Sequence, residues 1–257
     1  MRIAFFSDLH LGPGRTNRCT ATRRELLEFF DEVERSADRV IVAGDLFDLD
    51  RPRRPGGWRT QLDAIRRERP TVVRRLESYD WIWGNHDPQL AGLGVPEERE
   101  IAADGLRLLV LHGHQWDMAL KKLPGLPQAA NFVAGWMLRA GLTSVQDALQ
   151  EAPWLVDRTL NHLLPGRRAD ADRGIDGARR LIDRDGWDIV VAGHSHMLRL
   201  VFCDTGLYAN SGALCEGRLD WLLVDTAEHT VETWRDGRLH EVVERSDDDR
   251  WSRAARG

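Results

Sequence analysis

The sequence predicts an α/β fold in which two β-sheets pack face to face and helices cover their outer sides. Short apolar strand patterns alternate with helical spacing in the first half of the chain, and strand patterns dominate its last quarter. A mostly helical stretch separates these two parts, so we expect a two-sheet αββα sandwich with one helical insertion. The predicted division is a core of residues 1–116 and 186–245, an insertion of residues 117–185 and a charged tail of residues 246–257.

The first half of the chain alternates strands with helices. Arg2 to Phe6 is a short apolar run, which is the pattern of a buried strand. Thr22 to Arg35 carries apolar residues at helical spacing. The Arg-rich stretch 51–77 is expected to form one or two helices, with Pro70 suited to a helix start. Further buried strands are expected at residues 39–43, 80–83 and 106–111.

The last part of the chain has the alternating pattern of β-structure. Asp104-Gly105 and Asp236-Gly237 are turn signals of the kind that connect strands. The tail from Ser246 onwards is charged, and we expect it to fray. Strands are expected at residues 187–192, 199–203, 206–210, 219–225 and 229–235.

The composition limits the classes of partner and compartment. A net charge of -5 and a pI near 6.0 give no overall basic surface for nucleic acid. Cys19, Cys203 and Cys215 lie far apart and follow no zinc spacing, which is typical of reduced thiols. The first residues are too short an apolar run for a signal peptide, and no run has the length of a transmembrane helix. We therefore expect a cytoplasmic protein, either free or peripheral to the inner face of a membrane.

Polar motifs follow five of the predicted strands. Any one of them could be an ordinary turn or a polar loop. Five in succession indicate a single site, because ligands collect at the carboxyl ends of strands in such sheets. Buried carboxylates and imidazoles are costly unless they are paired or bind a metal, and a metal pair would remove that cost. The motifs are Asp8-Leu9-His10, Gly44-Asp45, Gly84-Asn85-His86-Asp87, His112-Gly113-His114 and Gly193-His194-Ser195-His196.

These residue types suit the hydrolysis of phosphate esters. The anionic ester repels hydroxide, and two cations about 3.5–4 Å apart neutralise that charge and lower the pKa of a bridging water towards 7. One carboxylate must bridge both metals, and Asp45 is the natural candidate. Oxygen and imidazole donors without a thiolate favour Mn²⁺, with Fe or Zn²⁺ as alternatives. The expected reaction is attack of a metal-bridging hydroxide on a phosphodiester, a pyrophosphate or a phosphomonoester.

In order and context, the five motifs resemble those of the calcineurin-like metallophosphoesterase superfamily. The resemblance covers residues 1–115 and 186–235 and omits the insertion. It implies that two divalent transition metal ions are bound. The implied ligands are Asp8, His10, Asp45 and His196 for the first metal, and Asp45, Asn85, His112 and His194 for the second.

The same resemblance implies roles for residues around the metals. His86 would act as general acid or charge stabiliser, and Asp87 would orient the His86 ring. His114 either contacts a metal ligand or the substrate or has no role, and both alternatives stay open. Asn210 lies in a turn after the last ligand loop, where its role is expected to be structural, with a contact to a metal ligand or to the substrate as the alternative. The remaining histidines, His162, His229 and His240, are interpreted as ordinary polar positions.

Two branches of the superfamily are closest in appearance. The segments from Gly44 to Asp48 and from Gly84 to Asp87 differ from those of Ser/Thr protein phosphatases. The segments from Ser7 to Gly12 and from Gly44 to Asp48 look like those of the UDP-2,3-diacylglucosamine pyrophosphatases of lipid A synthesis and of DNA repair nucleases. The acidic chain makes the nuclease the less favoured alternative. The best-known lipid-pathway enzymes carry an arginine where this chain has His86, so a general phosphodiesterase or phosphatase is equally defensible.

Three alternatives concern the parts outside the motifs. In the lipid-pathway branch, a helical segment in the place of residues 117–185 caps an acyl-chain pocket. Trp136 and Trp154 would then line a lid over the site, or they pack the helices onto the sheet. The arginines of residues 51–75 bind a diphosphate or anionic lipid headgroups, or they form a solvated helix face. A non-catalytic scaffold is disfavoured because every ligand position is intact.

Overall fold

The computed structural model describes residues 1–117, 126–141, 170–215, 217–246, 248 and 250–254. The helices are α1 (Arg23–Ser36), α2 (Trp58–Glu68), α3 (Pro70–Leu76), α4 (Leu126–Arg139) and α5 (Asp170–Asp185), with short 3₁₀ turns at Gly14–Thr16, Pro88–Leu93 and His114–Trp116. The strands are β1 (Arg2–Phe6), β2 (Arg39–Ala43), β3 (Asp80–Ile82), β4 (Glu98–Ala103), β5 (Leu106–Leu111), β6 (Ile189–Ala192), β7 (Arg199–Phe202), β8 (Leu207–Asn210), β9 (Asp220–Asp225), β10 (Thr230–Arg235), β11 (Arg238–Arg245) and β12 (Trp251–Arg253).

The strands form two mixed sheets. The larger sheet has the order β12-β11-β10-β9-β1-β2-β3, and its strands β1, β2 and β3 are parallel. The smaller sheet has the order β4-β5-β6-β8-β7, and its strands β5, β6 and β8 are parallel. Each sheet therefore brings the carboxyl ends of three parallel strands to one edge.

Apolar side chains fill three layers around the two sheets. Along β1, Ile3 and Phe5 point into the cluster between the sheets, whereas Ala4 and Phe6 point to the outer side, where α1, α2 and α3 lie. On the outer side of the smaller sheet, α5 packs against β6 and β8. This arrangement confirms the predicted two-sheet αββα sandwich.

Helix α1 shows why the predicted helix forms at this place. Thr22 and Glu25 make a capping box, in which the Thr22 hydroxyl accepts from the Glu25 N–H at 3.2 Å and the Glu25 carboxylate accepts from the Thr22 N–H at 2.7 Å. The buried face of the helix carries Leu26, Phe30 and Val33, at spacings of four and three residues. Local capping and the apolar stripe agree, which fixes both the start and the orientation of α1.

Three strands were not expected from the sequence. In β4 only Ile101 is buried, so its apolar signal is too weak to mark a strand. Strand β12 lies in the charged tail that we expected to fray. It pairs with β11, and Trp251 reaches the cluster between the sheets while its neighbour Ser252 is exposed. The third, β11, alternates charged residues with few buried ones.

The predicted insertion is helical where the structure describes it. Helix α4 follows the site loop ending at Asp117, and α5 forms the outer layer of the smaller sheet. Residues 118–125 and 142–169, which include Trp154 and His162, lie outside the described residues. Among the helices of the described ranges, none is both long and apolar enough to cross a membrane.

We predict that Trp251→Ala lowers the free energy of unfolding by roughly 3 kcal/mol, because it empties a large site at the edge of the core. Ser252→Ala is the matched control, since that exposed neighbour should change stability by less than about 0.5 kcal/mol. Urea unfolding of both variants measures the difference. Equal stability of the two variants would show that the terminal strand contributes nothing to the sandwich.

Candidate metal centre

The site loops begin where the parallel strands end, and several of their residues adopt left-handed backbone. Their φ angles are 55° at Asp8, 50° at His10, 52° at Asp45, 65° at His194 and 55° at His196. Residues with a Cβ rarely adopt this conformation, and such strain persists only where the surrounding structure holds it. Its concentration in one place marks this rim as the part of the fold under constraint.

Hydrogen bonds tie the loops of the two sheets together. The Asp8 N–H donates to the Gly44 carbonyl at 3.1 Å, and the His10 N–H donates to the Asp45 carbonyl at 3.0 Å. Across the rim, the His194 N–H donates to the Asp8 carboxylate at 3.0 Å. The carboxylate of Asp8 therefore joins a loop of one sheet to a loop of the other.

Two glycines let the carboxylates sit this close to the backbone. A Cβ at Gly84 would lie 2.2 Å from Asp45 Oδ1, and a Cβ at Gly193 would lie 2.3 Å from Ser7 Oγ and 2.7 Å from Asp8 Oδ2. No side chain fits at those distances. The glycines of these motifs therefore serve the approach of Asp45 and Asp8.

A first group of donor atoms forms around Asp8. Its Oδ1 atom lies 3.2 Å from His196 Nε2 and 3.6 Å from His10 Nε2, and the two Nε2 atoms are 3.4 Å apart. Two ligands bound at about 2.1 Å in a tetrahedral arrangement would be separated by about 3.4 Å. The spacing of the two rings thus fits one shared cation.

A second group of donor atoms forms on the other side of Asp45. Asp45 Oδ2 lies 3.2 Å from His112 Nε2 and 3.8 Å from His10 Nε2, so the carboxylate stands between the two groups. Two sets with ligand atoms within 4.8 Å of one another, Asp8/His10/Asp45 and Asp45/His112/His194, share this residue. Asp45 thus has the position that a bridging ligand needs.

Buried atoms of the site lack hydrogen-bond partners. Asp8 Oδ1, Asn85 Oδ1 and His112 Nε2 are inaccessible to solvent and have no partner within the described part of the chain. Leaving such groups unpaired costs about 1–3 kcal/mol each, and more for a charge. The orphaned atoms are the ones on which the predicted metal ligation rests, so the residues present fit a metal site.

The electrostatics show the same need for positive charge. Burial opposes ionisation of Asp8, but the neighbouring His196 and His112 rings hold the pKa of its carboxyl well below the ordinary value. Burial lowers the pKa of His112, but Asp45 and Asp8 outweigh burial and raise that pKa to about 9. For His196, burial is likewise outweighed by Asp8, and its pKa rises to about 11. Protons on these rings, or divalent cations in their place, would compensate the negative charge of Asp8 and Asp45.

Two of the candidate ligand rings have a polar partner at the Nδ1 atom. His10 Nδ1 lies 2.8 Å from Asp48 Oδ1, and His112 Nδ1 lies 2.8 Å from the Ala43 carbonyl. Such contacts fix the tautomer and the orientation of a metal-binding imidazole. Each ring therefore presents its Nε2 atom to the interior of the site.

The structure corrects the role predicted for Asp87. Its carboxylate contacts no histidine ring of the described chain and instead accepts from three backbone N–H groups, those of Gly84 at 2.7 Å, Leu46 at 2.7 Å and Phe47 at 3.1 Å. These N–H groups belong to loops that have left their strands, so no neighbouring strand can accept from them. Asp87 thus shapes the loops that carry Asp45.

The ring of His86 is held by other carboxylates. His86 Nδ1 lies 2.8 Å from Asp50 Oδ2 and 3.5 Å from Asp48 Oδ1. Burial lowers the pKa of His86, but Asp45 and Asp50 outweigh burial and raise that pKa to about 9. The ring packs edge-on against His10, with centroids 4.8 Å apart. His86 therefore lies beside the first donor group.

His114 and Asn210 lie around the site with different surroundings. His114 Nε2 is 3.7 Å from Glu97 Oε1, and its ring packs against Trp83. Burial and the charge of His112 lower the pKa of His114 to about 3. Asn210 is fully buried and donates to the Gly193 carbonyl at 2.7 Å. Asn210 thus holds the loop that carries His194 and His196, in agreement with a structural role.

Three residues of the site had no role assigned from the sequence. The carboxylates of Asp48 and Asp50 contact the Nδ1 atoms of His10 and His86. Cys215 Sγ lies 3.7 Å from His196 Nδ1. The repeated aspartates three and five residues after Asp45 were a signal for the first two. No pattern in the sequence pointed to the cysteine.

Two arginines of residues 51–75 have acidic partners on the helix surfaces. Arg75 pairs with Asp31 and Glu34, and Arg66 pairs with Glu77. Arg51 differs from them, because it is buried with its guanidinium 3.9 Å from Asp48 Oδ2. For Arg66 and Arg75, these ion pairs favour the solvated helix face over an anion-binding surface.

One family model and several solved structures are similar to this chain. The family model described as Calcineurin-like phosphoesterase matches residues 1–198. None of the curated proteins compared with the chain matches it. Similar solved structures include the phosphoesterase YfcE from E. coli (TM-score 0.48, 16% identity, 95% of this chain and 98% of that chain). Others are Vps29 from Chaetomium thermophilum (0.49, 10%, 99% and 95%) and a conserved protein of Streptococcus pneumoniae described as a predicted phosphoesterase (0.46, 14%, 99% and 97%).

We predict that Asp87→Ala lowers the free energy of unfolding by roughly 3–5 kcal/mol, because three buried N–H groups lose their acceptor. Urea unfolding of metal-free protein measures this loss separately from any loss of metal. Asp63→Ala is the matched control, since Asp63 is exposed on α2 and its removal should cost less than about 0.5 kcal/mol. If both variants unfold like the parent, the carboxylate of Asp87 does not hold the loops.

Proposed function

The chain belongs to the calcineurin-like phosphoesterase family, and we propose on this basis that it hydrolyses phosphoric esters with two divalent metal ions. The observation that carries the proposal is the pair of donor groups sharing Asp45. The orphaned atoms of Asp8, Asn85 and His112 support it, because each is buried and lacks a hydrogen-bond partner within the described ranges.

In this proposal the ligands are those implied by the sequence. When bound, the cations would neutralise the ester and supply an acidified water as nucleophile. Oxygen and imidazole donors suit Mn²⁺, with Fe and Zn²⁺ as alternatives. Asp8, His10, Asp45 and His196 would hold the first ion, and Asp45, Asn85, His112 and His194 the second.

The residues beside the ligands have distinct tasks in the proposal. His86 Nδ1 lies 2.8 Å from Asp50 Oδ2 in an ion pair, which leaves Nε2 as the nitrogen that can donate a proton to a leaving oxygen or stabilise charge. Asp87 keeps the loop of Asp45 in place through backbone N–H groups. Neither task depends on the nature of the leaving group, so a phosphodiester, a pyrophosphate and a phosphomonoester are all compatible with the site.

For the substrate, we propose an amphiphilic small molecule, such as a nucleotide-lipid. Val133 and Trp136 are 55% and 50% exposed on α4, whose opposite face contacts the loop that begins at Asp48. Exposed apolar side chains on a helix that packs against a site loop suit an acyl chain. The acidic chain disfavours a nuclease. A cytoplasmic location, free or at the inner face of a membrane, stays a prediction.

We predict close to two transition metals per chain by elemental analysis and turnover of bis(4-nitrophenyl) phosphate with Mn²⁺. Asp45→Ala and Asn85→Ala should lose metal together with activity. His86→Ala should reduce turnover by roughly 10²–10⁴ and leave metal content nearly unchanged, because the ring is not a ligand. His240→Ala, at an exposed position of β11, is the matched control and should behave like the parent.

Each outcome has a separate meaning. A fully occupied preparation with one metal would contradict the dinuclear centre. Full activity of His86→Ala on several substrates would contradict the role of His86. A parent protein that binds two metals and hydrolyses no ester would indicate a non-catalytic scaffold.

A further prediction concerns alkyl 4-nitrophenyl phosphates of increasing chain length. If Trp136 contacts the chain, each methylene buried in the parent should contribute about 0.8 kcal/mol to binding. Trp136→Ala should then remove the length dependence of KM and change the melting temperature little. Leu239→Ala, equally exposed at 50% on β11, is the control and should keep the dependence. A parent without length dependence would move the proposal to a soluble phosphoester.

A further inference from the structure

Helix α4 touches the core at the loop that follows the Asp45 motif. Asn131, Gly135 and Arg139 are spaced by four residues and therefore share one face of the helix. A Cβ at Gly135 would lie 2.9 Å from Arg51 Cβ, so the backbones approach closely there. The Arg139 guanidinium donates to the carbonyls of Arg51 and Pro52. The helix is thus docked on the segment after Asp48, and it also contacts the 3₁₀ turn Gly14–Thr16.

Asn131 reaches from this helix to the carboxylate that holds His86. Asn131 Nδ2 donates to Asp50 Oδ2 at 2.6 Å, and His86 Nδ1 lies 2.8 Å from the same oxygen. The Asp50 side chain is 1% exposed, and its Oδ1 atom has no hydrogen-bond partner in the ranges that the structure describes. This carboxylate therefore contacts two groups, the Asn131 amide of the insertion, which donates to it, and the His86 ring of the site.

Asp48 cannot take over the task of Asp50 without a change. Its Oδ1 atom is 3.5 Å from His86 Nδ1 and is already bonded to His10 Nδ1 at 2.8 Å. If Asp50 turned away, the His86 ring would lose its close acceptor and would share the oxygen that orients His10. The Asp50 contact therefore separates the orientation of His86 from that of a candidate metal ligand.

We propose that Asp50 is the positioning residue of His86 and that Asn131 makes this position depend on the docking of α4. The insertion would then control the efficiency of the site through one carboxylate, without touching a metal ligand. The proposal rests on the role of His86 in the proposed function. A displacement of about 1 Å at a reacting group can cost about 10²-fold in rate, so a loosened ring has a measurable effect.

The test is a double-mutant cycle on kcat with bis(4-nitrophenyl) phosphate and Mn²⁺. Asn131→Ala should lower kcat roughly tenfold and Asp50→Ala by roughly 10–100-fold, with KM and metal content close to those of the parent. In a His86→Ala background, each substitution should change kcat less than about twofold, because its effect acts through the missing ring. Additive losses in that background would overturn the proposal.

Two further variants separate the contact from a general effect on the helix. Asn131→Asp keeps the size of the side chain but sets a carboxylate against Asp50, so it should lower kcat at least as much as Asn131→Ala. Ala129→Ser changes an exposed position on the other side of α4 and should leave kcat unchanged. Equal effects of Asn131→Asp and Ala129→Ser would overturn the proposal.

A readout without turnover distinguishes this proposal from the proposed function. The ¹H–¹⁵N signals of the imidazole rings of the zinc-loaded protein report the contact of His86 Nδ1 with Asp50, assigned by comparison with His86→Ala. Asn131→Ala should shift the His86 signal and leave that of His240 in place. An unchanged His86 signal overturns the coupling even if the enzyme is active, and a shifted signal supports it even if no ester is hydrolysed.

Discussion

Two buried carboxylates, Asp8 and Asp45, set the conditions for the rest of this site. Both lie at the meeting point of the two sheets with almost no access to water. Negative charge in such a place must be compensated, and here imidazole rings from three separate loops converge on it. The raised pKa values of His112 and His196 express this demand. A pair of cations would compensate the negative charge of Asp8 and Asp45 in place of protons on the rings.

The apolar core of the sandwich stabilises the loops that hold these polar groups. Residues in the left-handed region cost about 1–3 kcal/mol each, so five of them at one rim need a rigid support. The cluster between the sheets supplies it, because Phe5 and Ile189 anchor strands on opposite sides of the same apolar layer. Asp87 and Asn210 continue the support into the loops by binding backbone groups. The core therefore fixes the strands, the strands and buried polar side chains fix the loops, and the loops fix the donor atoms.

The sequence was informative where function followed directly from a strand end. Asp8, Asp45 and His112 each come shortly after an apolar run, and the carboxyl ends of parallel strands meet by construction. It was uninformative where a contact joins distant segments. The bond between Asn131 and Asp50 spans 81 residues and needs the placement of α4, which no local pattern contains.

The role expected of Asp87 shows a different limit. Adjacency in the chain suggested a contact with the His86 ring, but the loop turns between the two residues. The carboxylate of Asp87 consequently faces backbone N–H groups, and the ring faces Asp50. Strands β4 and β12 were missed for another reason, because each buries a single apolar side chain among charged ones. Such strands are held by pairing with a neighbour rather than by their own pattern.

The charge balance also indicates where variation in substrate choice can arise. A donor atom around Asp8 or Asp45 cannot change without leaving a buried charge uncompensated, so the ligand set has little freedom. Helix α4 has no such restriction on its exposed side, where Val133 and Trp136 contribute nothing to the compensation. Its other side contacts the loop that holds His86 through Asp50. One side of α4 is thus free to vary, and its other side contacts Asp50 beside His86. In the proposed function, substrate binding at the exposed side of α4 could therefore influence the position of His86.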